Sequence, residues 1–83
     1  MGVGQYSLSC YFSGEYDNAI DGFKIYAKEY EEREIKPYVL FLIGKSYKAL
    51  GDRESAKVYF TEIMNSYKNT DVYYDAVNEF RNL

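Results

Sequence analysis

Histidine and tryptophan are both absent from the 83 residues of this chain, and cysteine and proline each occur once. Without histidine, the chain lacks the commonest general base and the commonest metal ligand of proteins. Cys10 has no histidine to activate it as a nucleophile, and one cysteine is too few for a zinc site. Gly2 and Gly4 are not followed by the lysine of a phosphate-binding loop. We therefore expect no catalysis, no metal and no cofactor.

Clusters of positive charge and long apolar runs are missing as well. The formal net charge is −3, and the ten lysines and arginines are scattered along the chain. Nucleic-acid binding is not expected, because proteins with that function normally carry a basic face. The longest apolar run, Tyr38 to Ile43, is far shorter than a membrane span, so we expect no direct membrane insertion. The first four residues have neither the basic nor the apolar region of a signal peptide.

Tyrosine is abundant, with eleven residues, and apolar residues make up 47% of the chain. This composition is typical of a globular protein, and the length predicts one domain over residues 1–83. The single Cys10 excludes an intrachain disulfide and is interpreted as a small buried residue. Tyrosine combines a large contact area with a polar tip and is enriched at interfaces. We expect most of the tyrosines to pack between helices and a few to face a partner.

The chain repeats itself at an offset of 37 residues. The segment from Ser13 to Phe23 resembles the segment from Leu50 to Phe60. Glycine, alanine and aromatic residues coincide at this offset: Gly14 with Gly51, Ala19 with Ala56, Phe23 with Phe60 and Tyr30 with Tyr67. A period of this length is typical of repeats built from helix pairs.

Apolar residues at helical spacing divide the chain into five helices. They are predicted over residues 3–12, 16–32, 37–50, 53–67 and 71–80. Pro37 suits a first helical turn, Gly51 ends a helix by adopting positive φ, and Asp52 is a candidate N-cap. The charged run from Glu29 to Glu34 is interpreted as a solvated helix end and loop. The β-forming run from Tyr38 to Ile43 continues at helical spacing, which favours a helix buried on more than one side.

These residues resemble the tetratricopeptide repeat. In that family a small residue within the first helix, an aromatic residue, a turn glycine, and then an alanine and an aromatic residue in the second helix recur in order. The second copy has Ile43-Gly44, Tyr47, Gly51, Ala56 and Phe60 at these places, and the first has Tyr6-Ser7, Cys10, Gly14, Ala19 and Phe23. The resemblance implies an all-α solenoid with two helix-turn-helix repeats, residues 3–33 and 36–69, and a capping helix over residues 71–81.

The resemblance also implies a protein-protein interaction module that binds a partner protein or peptide on its concave side. That side is lined by the first helix of each repeat. The candidate partner-binding residues are Leu8, Tyr11 and Phe12 in the first repeat, and Tyr38, Phe41, Lys45 and Lys48 in the second. The two lysines would attract a carboxylate. Packing against neighbouring helices remains the alternative for Leu8, Phe12 and Phe41.

Two features depart from the common form of the repeat: the proline that often ends each repeat is missing, and the period is longer. The longer period, with tyrosine at the end of each second helix, is similar to the branch found in bacterial cell-envelope proteins. That branch would imply a periplasmic or cell-envelope location, and a cytoplasmic one applies otherwise. The alternative function is a structural module that forms a homodimer through its exposed repeat ends.

Overall fold

The computed structural model describes residues 3–29 and 36–83, and within these ranges it contains five α-helices and no strand. The helices are α1 (Val3–Phe12), α2 (Tyr16–Glu29), α3 (Lys36–Ala49), α4 (Arg53–Ser66) and α5 (Asp71–Arg81). The predicted all-α class is therefore confirmed. Residues 30–32 of the predicted second helix, and all of the charged run beyond residue 29, lie outside the described part of the chain.

Two glycine turns with the same geometry end α1 and α3. Gly14 and Gly51 both have a φ of 87°, a left-handed conformation that costs glycine no steric penalty. In each turn the N–H of the next residue donates to a carbonyl five residues earlier, Glu15 to Cys10 at 2.8 Å and Asp52 to Tyr47 at 2.9 Å. This bond satisfies a carbonyl that the end of the helix would otherwise leave free. The two halves of the chain thus bend in the same way.

Asp52 caps α4, as its sequence position predicts. Its carboxylate accepts a hydrogen bond from the backbone N–H of Ser55 at 3.1 Å and another from the Ser55 hydroxyl at 2.8 Å. An N-cap carboxylate satisfies a free N–H of the first turn and lies at the positive end of the helix dipole. The turn between α3 and α4 is therefore fixed by Gly51 at the end of α3 and by Asp52 at the start of α4.

The five helices pack in chain order, α1 on α2, α2 on α3, α3 on α4 and α4 on α5, and α5 also contacts α3. The central helix α3 therefore has neighbours on several sides. This accounts for the apolar run from Tyr38 to Ile43, which is helical as predicted. The buried residues of α3 lie around much of its circumference: Pro37, Val39, Leu40, Ile43, Gly44 and Ser46.

The core consists of two clusters. The first cluster surrounds Phe23 and contains Cys10, Ala19, Ile20, Val39 and Ile43. The second cluster surrounds Phe60 and contains Leu40, Ala56, Ile63, Val72 and Ala76. Tyr47 and Tyr59 pack against both clusters, and their stacked rings have centroids 5.7 Å apart. The two clusters are therefore connected through this tyrosine pair.

A cation also ties α2 to α3 beside the tyrosine pair. The Lys24 ammonium donates a hydrogen bond of 2.7 Å to the Tyr47 hydroxyl and lies 5.3 Å from the centroid of the same ring. The hydrogen bond to Tyr47 is the main cause that raises the pKa of Lys24 above its ordinary value, while partial burial opposes the shift. The charged form of Lys24 thus contributes to the contact between the two halves.

Helical spacing predicts Leu50 on the apolar face of the third helix and either Tyr73 or Tyr74 on that of the fifth. Leu50 follows the last residue of α3, in the turn, so its side chain leaves the helical face that spacing alone assigned to it and is exposed. On α5 the buried residues are Val72 and Ala76, whereas Tyr74 is 71% exposed. The position of α5 against α3 and α4 selects its inner face, which spacing within α5 left open.

Candidate protein-binding surface

Four of the candidate partner-binding residues lie along one face of α3. Tyr38, Phe41, Lys45 and Lys48 are separated by three or four residues in turn, which aligns them on the surface of a helix. We call these four residues the α3 face. Its helix contains three lysines and no acidic residue. The α3 face therefore combines aromatic surface with positive charge.

Phe41 and Lys45 form a unit at the centre of the α3 face. Phe41 is half-buried against the second cluster, with its ring centroid 5.8 Å from that of Phe60. The Lys45 ammonium lies 5.7 Å from the Phe41 ring centroid, a distance at which a cation is attracted to the negative face of an aromatic ring. No carboxylate within residues 3–29 and 36–83 forms an ion pair with Lys45. The ammonium is thus positioned by its own helix and has charge available for a partner.

Tyr38 extends the same face toward the start of α3. Its side chain is 55% exposed, so more than half of a tyrosine surface is in solvent beside the Phe41 and Lys45 unit. Tyrosine loses few rotatable bonds on binding and offers both ring contact and a hydroxyl. Tyr38 has the exposure that a partner contact requires.

Lys48 already has a carboxylate partner within the chain. Its ammonium is 2.6 Å from the Glu79 carboxylate of α5, and both groups are partly buried. The expectation that Lys48 attracts the carboxylate of another protein therefore competes with this internal ion pair. Sequence reasoning missed Glu79 because spacing along α3 says nothing about α5. Charge was the signal that could have found this pair. All charged residues of α3 are lysines, whereas α5 contains three acidic residues, Asp71, Asp75 and Glu79.

The remaining candidates, Leu8, Tyr11 and Phe12, lie on α1. Tyr11 is half-buried and contacts Tyr16 and Phe23 of α2 edge to face, at centroid distances of 5.8 and 6.5 Å. Phe12 contacts the Tyr11 ring at 5.3 Å but is 78% exposed, and Leu8 is 39% exposed. Leu8 and Phe12 are therefore surface residues rather than core. The ring contacts of Tyr11 and Phe12 connect them to α1 and α2.

The described residues offer little for metal binding or for crossing a membrane. Histidine, cysteine, aspartate and glutamate side chains do not gather there in groups of three or more that could hold a metal ion. In the same residues, no helix has the length and apolar character to cross a bilayer. The features that stand out are the cationic and aromatic α3 face and the uncharged surface of α1.

The second half of the chain matches a family model. Residues 38–70 match the tetratricopeptide repeat, a segment that begins on the α3 face and ends at the start of α5. Neither the curated proteins nor the solved structures contain a match to this chain. The family match supports the resemblance over the second repeat. For the first repeat, the resemblance is supported by sequence similarity to the second repeat and by the matching geometry of the Gly14 and Gly51 turns.

Proposed function

We propose that this chain is a protein-binding module, not a catalyst, and that the α3 face holds a segment of a partner protein. The observation that carries the proposal is the Lys45 ammonium over the Phe41 ring, where no carboxylate of residues 3–29 and 36–83 forms an ion pair with it. A cation in this position attracts a partner carboxylate, and the attraction between the two charges becomes stronger as the covering partner lowers the local dielectric constant. The match of residues 38–70 to a tetratricopeptide repeat agrees with such a role.

The partner segment should combine a carboxylate with aromatic or aliphatic side chains. The carboxylate would pair with Lys45, while the apolar side chains would lie on Tyr38 and on the exposed part of Phe41. Lys48 is a secondary contact, because a partner carboxylate would first have to displace Glu79. Aromatic anchors beside a charged group are the usual centres of binding energy at protein interfaces.

Selection of peptides from a displayed random library on the purified chain tests the proposal. We expect the selected peptides to share an acidic residue next to an apolar one. Lys45→Glu should weaken binding of these peptides by roughly tenfold or more, since charge reversal places two negative groups together. Tyr38→Ala should weaken binding by loss of ring contact. Titration calorimetry measures both effects.

Matched substitutions elsewhere separate a specific surface from a general charge effect. Lys57→Glu makes the same charge change at an exposed position of α4, and Tyr74→Ala removes an exposed tyrosine from α5. Both should leave peptide affinity unchanged. Equal losses for Lys45→Glu and Lys57→Glu, or selected peptides without acidic residues, would contradict the role of the α3 face. Lys48→Glu is a poor first test, because it places two carboxylates together and disturbs α5.

The class of partner remains a prediction from the resemblance to cell-envelope repeat proteins. That resemblance rests on the 37-residue offset and on tyrosine at the end of each second helix, as at Tyr67 after α4. On this basis we propose that the partner takes part in the assembly of the bacterial cell envelope. Fractionation of the protein expressed in its native cell, with detection in the envelope or in the cytoplasm, decides this point.

A further inference from the structure

Helix α5 has the same chemistry as the segment that the α3 face is proposed to bind. Helix α3 contains three lysines and no acidic residue, whereas α5 contains three acidic residues and one arginine. Asp71, Asp75 and Glu79 are spaced four residues apart and therefore lie along one side of α5. Phe80 follows Glu79 directly and packs against the second cluster, as Phe41 does. Glu79 and Phe80 thus place a carboxylate next to an aromatic residue.

Glu79 occupies one end of the α3 face and leaves the other end open. The Lys48 ammonium lies 2.6 Å from the Glu79 carboxylate, and the two side chains are 35% and 19% exposed, so the pair can be reached from solvent. At the open end, Lys45 lies over the Phe41 ring and has no ion pair in the described part of the chain. A partner can bind at the open end without disturbing α5, but it reaches Lys48 only by replacing Glu79.

We propose that α5 is an internal competitor of the partner, and that a partner carboxylate that pairs with Lys48 loosens α5 from α3. The inference rests on the proposed function of the α3 face and adds a coupling between binding and the docking of α5. One ammonium neutralises one carboxylate, and a second carboxylate beside it is repelled by the first. Pairing of Glu79 with Lys48 therefore opposes binding, and binding opposes the docking of α5 to the same extent.

The apolar contacts of α5 limit the size of this effect. Val72 and Ala76 are buried in the second cluster and hold α5 whether or not the ion pair is formed. The partner therefore controls only the polar part of the attachment, and α5 loosens without unfolding. Because a partly exposed ion pair contributes little free energy, the coupling should change the affinity by about two- to fivefold.

Peptide selection on two forms of the whole chain tests the competition. Glu79→Gln removes the carboxylate and keeps the size of the side chain, so peptides selected on this variant should more often carry a second acidic residue than peptides selected on the unaltered chain. In titration calorimetry, these peptides should bind Glu79→Gln about two- to fivefold more tightly than the unaltered chain. Asp75→Asn removes the same charge from an exposed position of α5 and should give a smaller gain. Circular dichroism establishes that both variants keep their helices.

Amide exchange measures the reciprocal effect on α5. When a peptide with two acidic residues binds to the unaltered chain, exchange should become slower in α3 and faster in α5. Replacing its acidic residues by glutamine, one at a time, should abolish the faster exchange of α5 in one case only, which identifies the carboxylate that pairs with Lys48.

Three outcomes would overturn the competition while leaving the proposed function in place. They are equal gains in affinity for Glu79→Gln and Asp75→Asn, no enrichment of a second acidic residue on Glu79→Gln, and exchange in α5 that is unchanged or slower when peptide binds. In each of these cases acidic peptides still bind to the α3 face. Failure to select acidic peptides on either form of the chain would instead contradict the proposed function, and the competition with it.

Discussion

Gly44 shows at the scale of one residue why the helix pair needs a small side chain. A Cβ added at this position would lie 2.7 Å from Cε1 of Phe60, closer than real Cβ contacts come. Phe60 is fully buried in the second cluster, so its ring cannot move aside. In the first repeat Ser7 occupies the corresponding position, and it is also fully buried. The small residue is thus a consequence of the close approach of α3 and α4.

Gly44→Ala is expected to destabilise the chain despite the better helix propensity of alanine. Overpacking in a filled core costs about 1–3 kcal/mol, and the gain in propensity is about 1 kcal/mol. The net effect should be a lower midpoint of urea unfolding, followed by circular dichroism. Asn65→Ala, on an exposed part of α4, serves as the control and should be neutral or slightly stabilising. Greater stability for Gly44→Ala would mean that Phe60 has room to move.

At the scale of elements, the Lys48 and Glu79 ion pair connects α3 to α5. Helix α5 has no second helix after it in the described chain, so its attachment depends on its contacts with α3 and α4. Val72 and Ala76 provide the apolar part of that attachment. The ion pair adds a polar contact between α5 and Lys48 at the end of the α3 face.

Glu79→Gln should loosen α5 and free Lys48. Because both groups are partly exposed, the loss of stability should be modest, about 0.5–1 kcal/mol. A double-mutant cycle with Lys48→Met, measured by urea unfolding, isolates the pairwise energy. Faster amide exchange confined to α5 would locate the effect.

Glu62→Gln, at an exposed position of α4, is the matched control and should change nothing. The freed Lys48 should also raise the affinity for acidic peptides bound by the α3 face. A coupling energy of zero in the cycle would show that the pair does not hold α5.

At the scale of the whole molecule, the two core clusters are joined rather than independent. Helix α3 contributes Val39 and Ile43 to the first cluster and Leu40 to the second, and Tyr47 and Tyr59 pack on both. Stacked repeats derive much of their stability from such neighbour contacts, because one helix pair alone cannot bury its apolar face. The two halves should therefore unfold together.

Ile63→Val tests this coupling with a small, local change. Ile63 is fully buried in the second cluster, and removal of one methylene group there should cost about 1 kcal/mol. If the halves unfold as one unit, the slowest-exchanging amides of α2 should lose as much protection as those of α4. Val58→Ala, on the exposed side of α4, should change neither. Lost protection confined to α4 and α5 would mean that the repeats unfold separately.

The sequence by itself determined the local structure of this chain. Helical spacing, Gly14 and Gly51 at the turns and Asp52 as an N-cap were sufficient for the all-α class and for nine of the ten helix ends to within one residue, whereas the predicted end of the second helix lies outside the described residues. These features depend on neighbours in the chain, so a single sequence contains them. Leu50 was an exception. The predicted helix ran one residue too far, so Leu50 was assigned to a helical face although it lies in the turn and is exposed.

Only the tertiary structure decided how the helix faces are used. It paired Lys48 with Glu79, turned Val72 and Ala76 of α5 inward, and packed the Tyr11 ring against α2. Each of these outcomes depends on residues far apart in the chain, whose distance is set by the packing of one helix on another. Periodicity within a helix identifies its faces, but the neighbouring helices determine which face is covered.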